Sequence, residues 1–369
     1  MRADKAGRGP SNYFYRVNII MLNYLIVTAV SLVLSMSLTP LMIVVSRKWN
    51  VMDIPNGRKA HNKPIPLMGG VAIYLATFVA TILYFFLFDD KSLQLNIIIA
   101  YLIGISGVTM MGLIDDVLSL SPKRRLIILF VLALIVLVGC LQFYFPRTLL
   151  DDPFLAVATS VVVVFWIVAI TNATNFTDGL DGLASCLSLV SALSFAVIFF
   201  IQGRDQLALP TTLALCGAIF GFLTYNFHPA KIFMGDAGSM FIGFMLGILS
   251  IMSMSQKTII VFVVPVFLMI VPIADMCMSI LRRLLLRKPV MKPDKMHFHH
   301  ILIDRFNNHR IAVLILMAAQ MVFAGIGVVI YFLELYILGW ILLAVLALLA
   351  IIYTLVRVVK IKQEPQTDG

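Results

Sequence analysis

The chain has 369 residues, of which 61% are hydrophobic and only 12% charged, and its formal net charge is +10. Soluble domains carry about 25% charged residues, so an ordinary soluble core is excluded. Disorder is excluded by the hydrophobicity, and a collagen-like or disulfide-scaffold chain by 22 Gly, 15 Pro and 4 Cys. What remains is an all-α fold, a polytopic integral membrane protein. A helix needs about 20 apolar residues to cross the hydrocarbon core. In chain order such runs fall near 19–46, 68–88, 95–114, 125–145, 154–172, 182–201, 207–225, 237–254, 258–280, 311–333 and 335–356. They predict about eleven transmembrane helices, with the sixth and eighth runs the most diluted by Gly and Ser. The expected layout is a tail over 1–18, a single transmembrane domain over 19–357 and a second tail over 358–369.

Lys and Arg favour cytoplasmic loops. The loops after the first, third, seventh and ninth runs and the C-terminal tail hold nearly all of them, including Arg47, Lys48, Lys63, Lys123, Arg124, Arg125, Lys231, Arg282 and Arg283. The loops of opposite parity hold Lys91, Arg147, Arg204 and Lys257, one each. This predicts a cytoplasmic C-terminus and an outside N-terminus. The segment 1–18, with Arg2, Lys5, Arg8 and Arg16, runs against that parity; an over-long start, with Met21 as the initiator, is one reading, and a short tail that translocates is the other.

Intramembrane ionisable groups are functional candidates by default, and here their placement is informative. Asp115 and Asp116 close the third run. Asp178 and Asp181 follow the fifth in NATNFTDGLDGL, and Asp236 follows the seventh in KIFMGDAGS. Asp275 lies near the end of the ninth run. All six map to the predicted cytoplasmic side. Clustered carboxylates repel unless a cation sits among them, and hard oxygen donors with few histidines nearby favour Mg²⁺ over zinc. Asn172 and Asn175 face the same cluster and read as metal or substrate ligands rather than glycosylation sites.

The loop after the ninth run ends in PDKMHFHH, so His297, His299 and His300 fall within four residues. Zinc binding and phosphate recognition are both open to that block, but the spacing of a zinc protease is absent. The first inside loop, DIPNGRKAHNKPIPLMGG, sets Asp53, Lys59, His61 and Lys63 among three prolines. It reads as a fixed basic loop facing the same surface. No phosphate-binding Gly-rich loop, nucleophile elbow or nucleic-acid-binding pattern is present, so nucleic acid is not an expected partner.

Five ordered blocks, DIPNGRKAHNKPIPLMGG, GLIDDVLSLSPKRR, NATNFTDGLDGLA, YNFHPAKIFMGDAGS and PDKMHFHHIL, make the chain similar to the polyprenyl-phosphate N-acetylhexosamine-1-phosphate transferase family. The resemblance spans about residues 20–357. The His297-Phe298-His299-His300 order resembles the branch that transfers GlcNAc-1-phosphate rather than the peptidoglycan branch, which typically shows three consecutive histidines. The likeness is strongest to bacterial enzymes that begin O-antigen and enterobacterial common antigen synthesis; teichoic-acid initiating enzymes are similar too.

The resemblance implies a reaction of UDP-GlcNAc with undecaprenyl phosphate, Mg²⁺ as cofactor with Mn²⁺ substituting, and a site on the cytoplasmic face of a bacterial inner membrane. It implies catalytic roles for Asp115, Asp116, Asp178, Asp181 and Asp236. Asp236, Asp178 and Asn175 are the implied metal ligands. Asn172, Asn226, Phe233, Lys59, His61, His297, His299 and His300 are the implied substrate-binding residues. Asp181, Asn226 and Phe233 would meet the uridine end, and Asp115 and Asp116 the lipid phosphate. The oligomeric state stays open, with a homodimer among the options. The rival classes are a secondary transporter, whose acids would cluster near the midplane, and a non-enzymatic scaffold, which has no need of four acidic clusters.

Overall fold

In a bilayer every backbone polar group must be satisfied within the protein, which restricts lipid-facing spans to helices or closed barrels. The apolar runs accordingly form helices. The structure, a computed structural model, describes residues 10–55, 63–88, 95–139, 151–203, 207–254, 259–289 and 297–363. In chain order the helices are α1 (Pro10–Lys48), α2 (Gly69–Phe88), α3 (Leu95–Leu118), α4 (Pro122–Gly139), α5 (Pro153–Thr177), α6 (Leu183–Gln202) and α7 (Ala208–Asn226). They continue as α8 (Gly235–Ser253), α9 (Val263–Leu268), α10 (Ile270–Leu285), α11 (Phe298–Phe306), α12 (His309–Phe332) and α13 (Tyr336–Gln363).

Among the described residues nine helices are long and apolar enough to cross a membrane: α1, α2, α3, α5, α6, α7, α8, α12 and α13. The ninth run departs from expectation. It is not one helix but a pair, α9 and α10, bent by 90° at Met269; counted as one span, the pair is a tenth. The fourth run is occupied by α4, which has 18 residues and carries Lys123, Arg124 and Arg125 in its first turn and a half. The end of that run, 140–145, lies outside the described residues, as do Lys59 and His61. A further departure from an all-helical chain is a two-residue antiparallel pair in the first loop, β1 (Met52–Asp53) with β2 (Ile65–Pro66), in which Asp53 faces Ile65.

The sixth and eighth runs, diluted by Gly and Ser, become two of the most buried helices. The dilution is the cause. Apolar side chains gain little by leaving lipid for protein, so close backbone approach through small residues drives packing. α8 lies at the centre, against α2, α3, α5 and α6. A Cβ on Gly70 of α2 would fall 2.0 Å from the Gly238 nitrogen, and one on Gly112 of α3 would fall 2.5 Å from the Asp236 carbonyl oxygen.

α1 and α7 use the same device. The Ser31 and Ser35 hydroxyls donate to the carbonyls of Ala214 (2.6 Å) and Ala218 (2.7 Å). A Cβ on Gly221 would sit 2.6 Å from the Leu32 carbonyl oxygen. Replacing Gly221 by Leu is expected to force α1 away from α7 and to destabilise the protein by about 1–3 kcal/mol. The check is the temperature at which detergent-solubilised protein loses its monodisperse elution peak; an unchanged temperature would refute the close-approach account.

Candidate active site

The first four N–H groups of a helix lack intrahelical acceptors. At the start of α8, two of them are met by Asp116 from the end of α3: Oδ1 accepts from Asp236 N–H (2.8 Å) and Oδ2 from Ala237 N–H (3.1 Å). Gly235 makes this junction possible. Its φ is +68°, and a Cβ there would lie 2.6 Å from Asp116 Oδ2. The preceding strand of backbone is pinned as well, with Gly69 N–H donating to the Phe233 carbonyl (2.9 Å) and Gly70 N–H to that of Met234 (2.8 Å).

Asp115 turns the other way and is buried. Its Oδ1 accepts from Leu120 N–H (2.6 Å), holding the short turn between α3 and α4. That turn delivers Arg125, whose Nη1 lies 2.7 Å from Asp115 Oδ2 and 3.6 Å from Asp236 Oδ2. The same guanidinium donates through Nη2 to Asn175 Oδ1 (3.2 Å). Asn175, near the end of α5, donates in turn to Asp236 Oδ1 (2.6 Å) and Ser239 Oγ (2.9 Å). Four helices thus meet in one polar knot of Asp115, Asp116, Arg125, Asn175, Asp236 and Ser239.

Asp178 stands one residue beyond α5. Burial is the main cause that pushes its carboxyl up to about 8, and the neighbouring carboxylates of Asp236, Asp181 and Asp53 push it further in the same direction. Burial and neighbouring carboxylates thus disfavour the Asp178 anion when no cation is present, and a bound cation would favour its ionised form. Asp181 instead anchors the segment after α7, its Oδ2 accepting from Ala230 N–H (3.0 Å) and pairing with His228 Nδ1 (2.8 Å).

The histidine block is brought to this acidic loop by α10. Asp275 accepts from Phe298 N–H (2.8 Å) and pairs with His297 Nδ1 (2.8 Å). His297 and His299 stack with ring centroids 5.6 Å apart, and His299 and His300 lie 4.3 Å apart. His299 is buried, and a Cβ on Gly179 would fall 2.7 Å from its Nε2. Burial first, then the neighbouring His300, lowers its pKa to about 3, so the ring is neutral near pH 7.

The remaining sequence candidates fall less centrally. Asn226 is buried with both ends of its amide engaged, accepting from Ser185 Oγ (2.9 Å) and donating to the Ile232 carbonyl (3.0 Å). It shapes the segment that leads to α8. The Asn172 amide donates to the Val168 carbonyl (2.7 Å) within its own helix. Phe233 is half-buried beside Gly69. Four participants were not assigned a role from sequence: Arg125, Ser239, Asp53 and His228. Ser239 carried a signal, being three residues after Asp236 and so on the same helix face. Nothing local distinguishes Arg125 from Lys123 and Arg124; only the turn held by Asp115 does.

Among the described residues no group of three His, Cys, Asp or Glu side chains could hold a metal ion by itself. Two carboxylates and an amide, Asp236, Asp178 and Asn175, still fit a hard divalent cation that fills its other positions with water and phosphate oxygens. The donor chemistry is compatible with Mg²⁺ and unsuited to a closed zinc site.

Comparison with known proteins places these residues in context. The family model described as "Glycosyl transferase family 4" matches residues 98–254, the stretch that holds the polar knot and the Asp178 loop. A Bacillus subtilis strain 168 protein named "Probable undecaprenyl-phosphate N-acetylglucosaminyl 1-phosphate transferase" is 34% identical over 307 residues, covering 82% of this chain and 84% of its own. An undecaprenyl-phosphate alpha-N-acetylglucosaminyl 1-phosphate transferase of Salmonella typhi is 30% identical over 320 residues, covering 82% and 84%. A decaprenyl-phosphate N-acetylglucosaminephosphotransferase of Mycolicibacterium smegmatis is 31% identical over 303 residues, covering 74% and 73%.

Asp116→Ala leaves two N–H groups of α8 without their acceptor and is expected to cost about 1–2 kcal/mol, with Asp116→Asn intermediate because one side-chain oxygen remains. Thermal unfolding of the purified variants measures the order; equal stability of Asp116→Ala and wild type would rule out the capping role.

Proposed function

The chain belongs to glycosyl transferase family 4, and from that premise we propose that it transfers GlcNAc-1-phosphate from UDP-GlcNAc to undecaprenyl phosphate, releasing UMP. The observation that carries this reading is the polar knot itself: carboxylates, an amide and one arginine converge where four helix ends of a largely apolar bundle meet. Such a place meets a water-soluble nucleotide sugar from one side and a lipid phosphate from the other.

In the reaction an oxygen of the lipid phosphate attacks the phosphorus that bears the sugar. The bond between that phosphorus and the bridging oxygen breaks, and UMP leaves with the bridging oxygen. Nucleophile and donor are both anions, so the site must offset negative charge. Arg125 is placed to do so and is held in position by Asp115 and Asn175. Asp236, Asp178 and Asn175 would hold a Mg²⁺ ion, which supplies charge neutralisation at the diphosphate. The neutral His299 and its neighbours His297 and His300 offer ring nitrogens to phosphate or sugar hydroxyls, and Phe233 offers a flat apolar face to the uracil. A phosphate monoester is already nucleophilic near neutral pH, so Asp115 and Asp116 serve better as orienting groups than as bases.

An apolar groove of about 470 Å³ between α4 and α5, lined by Phe130, Val131, Leu134, Val157, Val161 and Phe165, begins less than two turns beyond Arg125. It suits an isoprenoid tail whose phosphate reaches the knot. The transmembrane arrangement extends the same reading. Counting the nine apolar helices, the bent pair and α4 as eleven spans, with the Lys- and Arg-rich loops inside, this reading has the C-terminus and the site on the cytoplasmic side of a bacterial plasma membrane. The product would then be the first lipid-linked intermediate of an O-antigen or enterobacterial common antigen type of glycan.

Two measurements test this. Purified protein with undecaprenyl phosphate and Mg²⁺ is expected to release UMP from UDP-GlcNAc and not from UDP-MurNAc-pentapeptide, and Asp236→Asn is expected to lose at least about 100-fold in turnover while remaining folded. Release from the muramoyl donor alone would move the enzyme to the peptidoglycan branch, and none from either would sink the transferase reading. A reporter fused to the C-terminus is expected to be active in the cytoplasm; a periplasmic signal would overturn the eleven-span topology.

A further inference from the structure

The 90° break between α9 and α10 leaves backbone groups unpaired in an apolar setting. In a continuous helix the Leu268 carbonyl would accept from the N–H four residues on. That residue is Pro272, which has none. At the same point the Val271 N–H is one of the unmatched donors at the start of α10. Leu268, Met269 and Val271 are all buried, so water is not the partner, and unmet groups here are costly.

A single side chain from another helix answers both needs. Gln320, the one amide in the tenth apolar run, is wholly buried on α12. Its Oε1 accepts from Val271 N–H (3.1 Å), and its Nε2 donates to the Leu268 carbonyl (2.5 Å) and approaches Ser191 Oγ (3.5 Å). Ser191 on α6 also donates to the Leu268 carbonyl (2.6 Å). A carboxamide offers an acceptor and a donor on one flat group, so Gln320 brackets the break from both sides.

The direction of α10 matters to the site. Asp275 stands one turn after Val271 and holds both His297 Nδ1 and Phe298 N–H. Through it the start of α11 is fixed, and with it the His299 ring against Gly179, next to Asp178. We propose that Gln320 is a positioning residue for the transfer reaction: by bracketing the helix break it aims α10, and through Asp275 it sets the histidine block against the acidic loop. The proposal deepens the transferase reading and rests on it, because it takes the histidine block to meet substrate.

The test uses the full chain in lipid nanodiscs, as wild type, Gln320→Leu, Gln320→Glu and Ser191→Ala. Two readouts are taken: steady-state kinetics with UDP-GlcNAc and undecaprenyl phosphate, and amide hydrogen exchange resolved along the chain. Gln320→Leu is expected to lower kcat/KM by about 10–100-fold, as displaced groups do, and to speed exchange in 268–285 and 298–306 while α2, α3 and α8 exchange as in wild type. Gln320→Glu, held as the protonated acid by its burial, keeps an acceptor for Val271 and offers an O–H to Leu268 in altered geometry, and Ser191→Ala removes one of two donors; both are expected to fall between wild type and Gln320→Leu. Wild-type kinetics in Gln320→Leu, or a loss accompanied by faster exchange throughout the bundle, would overturn the proposal. If Gln320→Leu does not assemble, the two milder variants decide: local exchange with a graded kinetic loss supports it, and wild-type kinetics in both overturns it. If wild type itself shows no turnover, the transferase reading falls, while the exchange pattern still reports whether Gln320 holds the break.

Discussion

The polar end of this bundle depends on how α8 begins. A central helix packed against α2, α3, α5 and α6 has to start somewhere, and its first N–H groups need acceptors that lipid cannot provide. Asp116 supplies them from α3, and Gly235 lets the chain turn into the helix beneath that carboxylate. The consequence is that Asp236 is presented at a helix N-terminus, where the partial positive charge of the backbone favours a carboxylate. Asn175 and Arg125 then have a fixed target. A structural requirement of the bilayer and the placement of the candidate catalytic acid are therefore one arrangement.

Small residues make the arrangement possible. Gly70 and Gly112 bring α2 and α3 against the first turn of α8 at distances that no side chain would allow. Glycine in helices is ordinarily a cost. Here it permits van der Waals contact between backbones, the force that remains for helix association where the solvent is as apolar as the side chains. Rigidity follows, because a knot held by charge-assisted bonds at four helix ends has few ways to relax.

Much of this was legible in the chain. Most of the apolar runs located a helix to within a few residues, because the energetic demand of a bilayer is almost one-dimensional, although α1 begins nine residues before its run and α13 ends seven after its own. The acids stood out because carboxylates in such a composition need a reason. The pairing within the site was less legible. Asp115 and Asp116 are adjacent and alike in sequence, yet one holds a turn and an arginine while the other caps a helix 120 residues away. Asn226 and Asn175 are both asparagines beside acidic motifs, yet Asn226 has both ends of its amide engaged in shaping a loop and Asn175 joins the knot.

The ninth run marks the boundary most clearly. Pro272 was visible within it, but a proline in a membrane helix can kink it, bend it or be accommodated. The 90° outcome depends on an amide on α12 and a hydroxyl on α6 that stand beside the break in space and far from it in sequence. The sequence by itself determined that this is a multi-pass helical membrane protein with its candidate site acids gathered near helix ends, since hydropathy and the cost of buried charge are local properties. Which acid touches which donor, where the chain breaks and how the histidines reach the acidic loop were decided by tertiary structure, because hydrogen bonds are satisfied by whatever group packing brings within 3 Å.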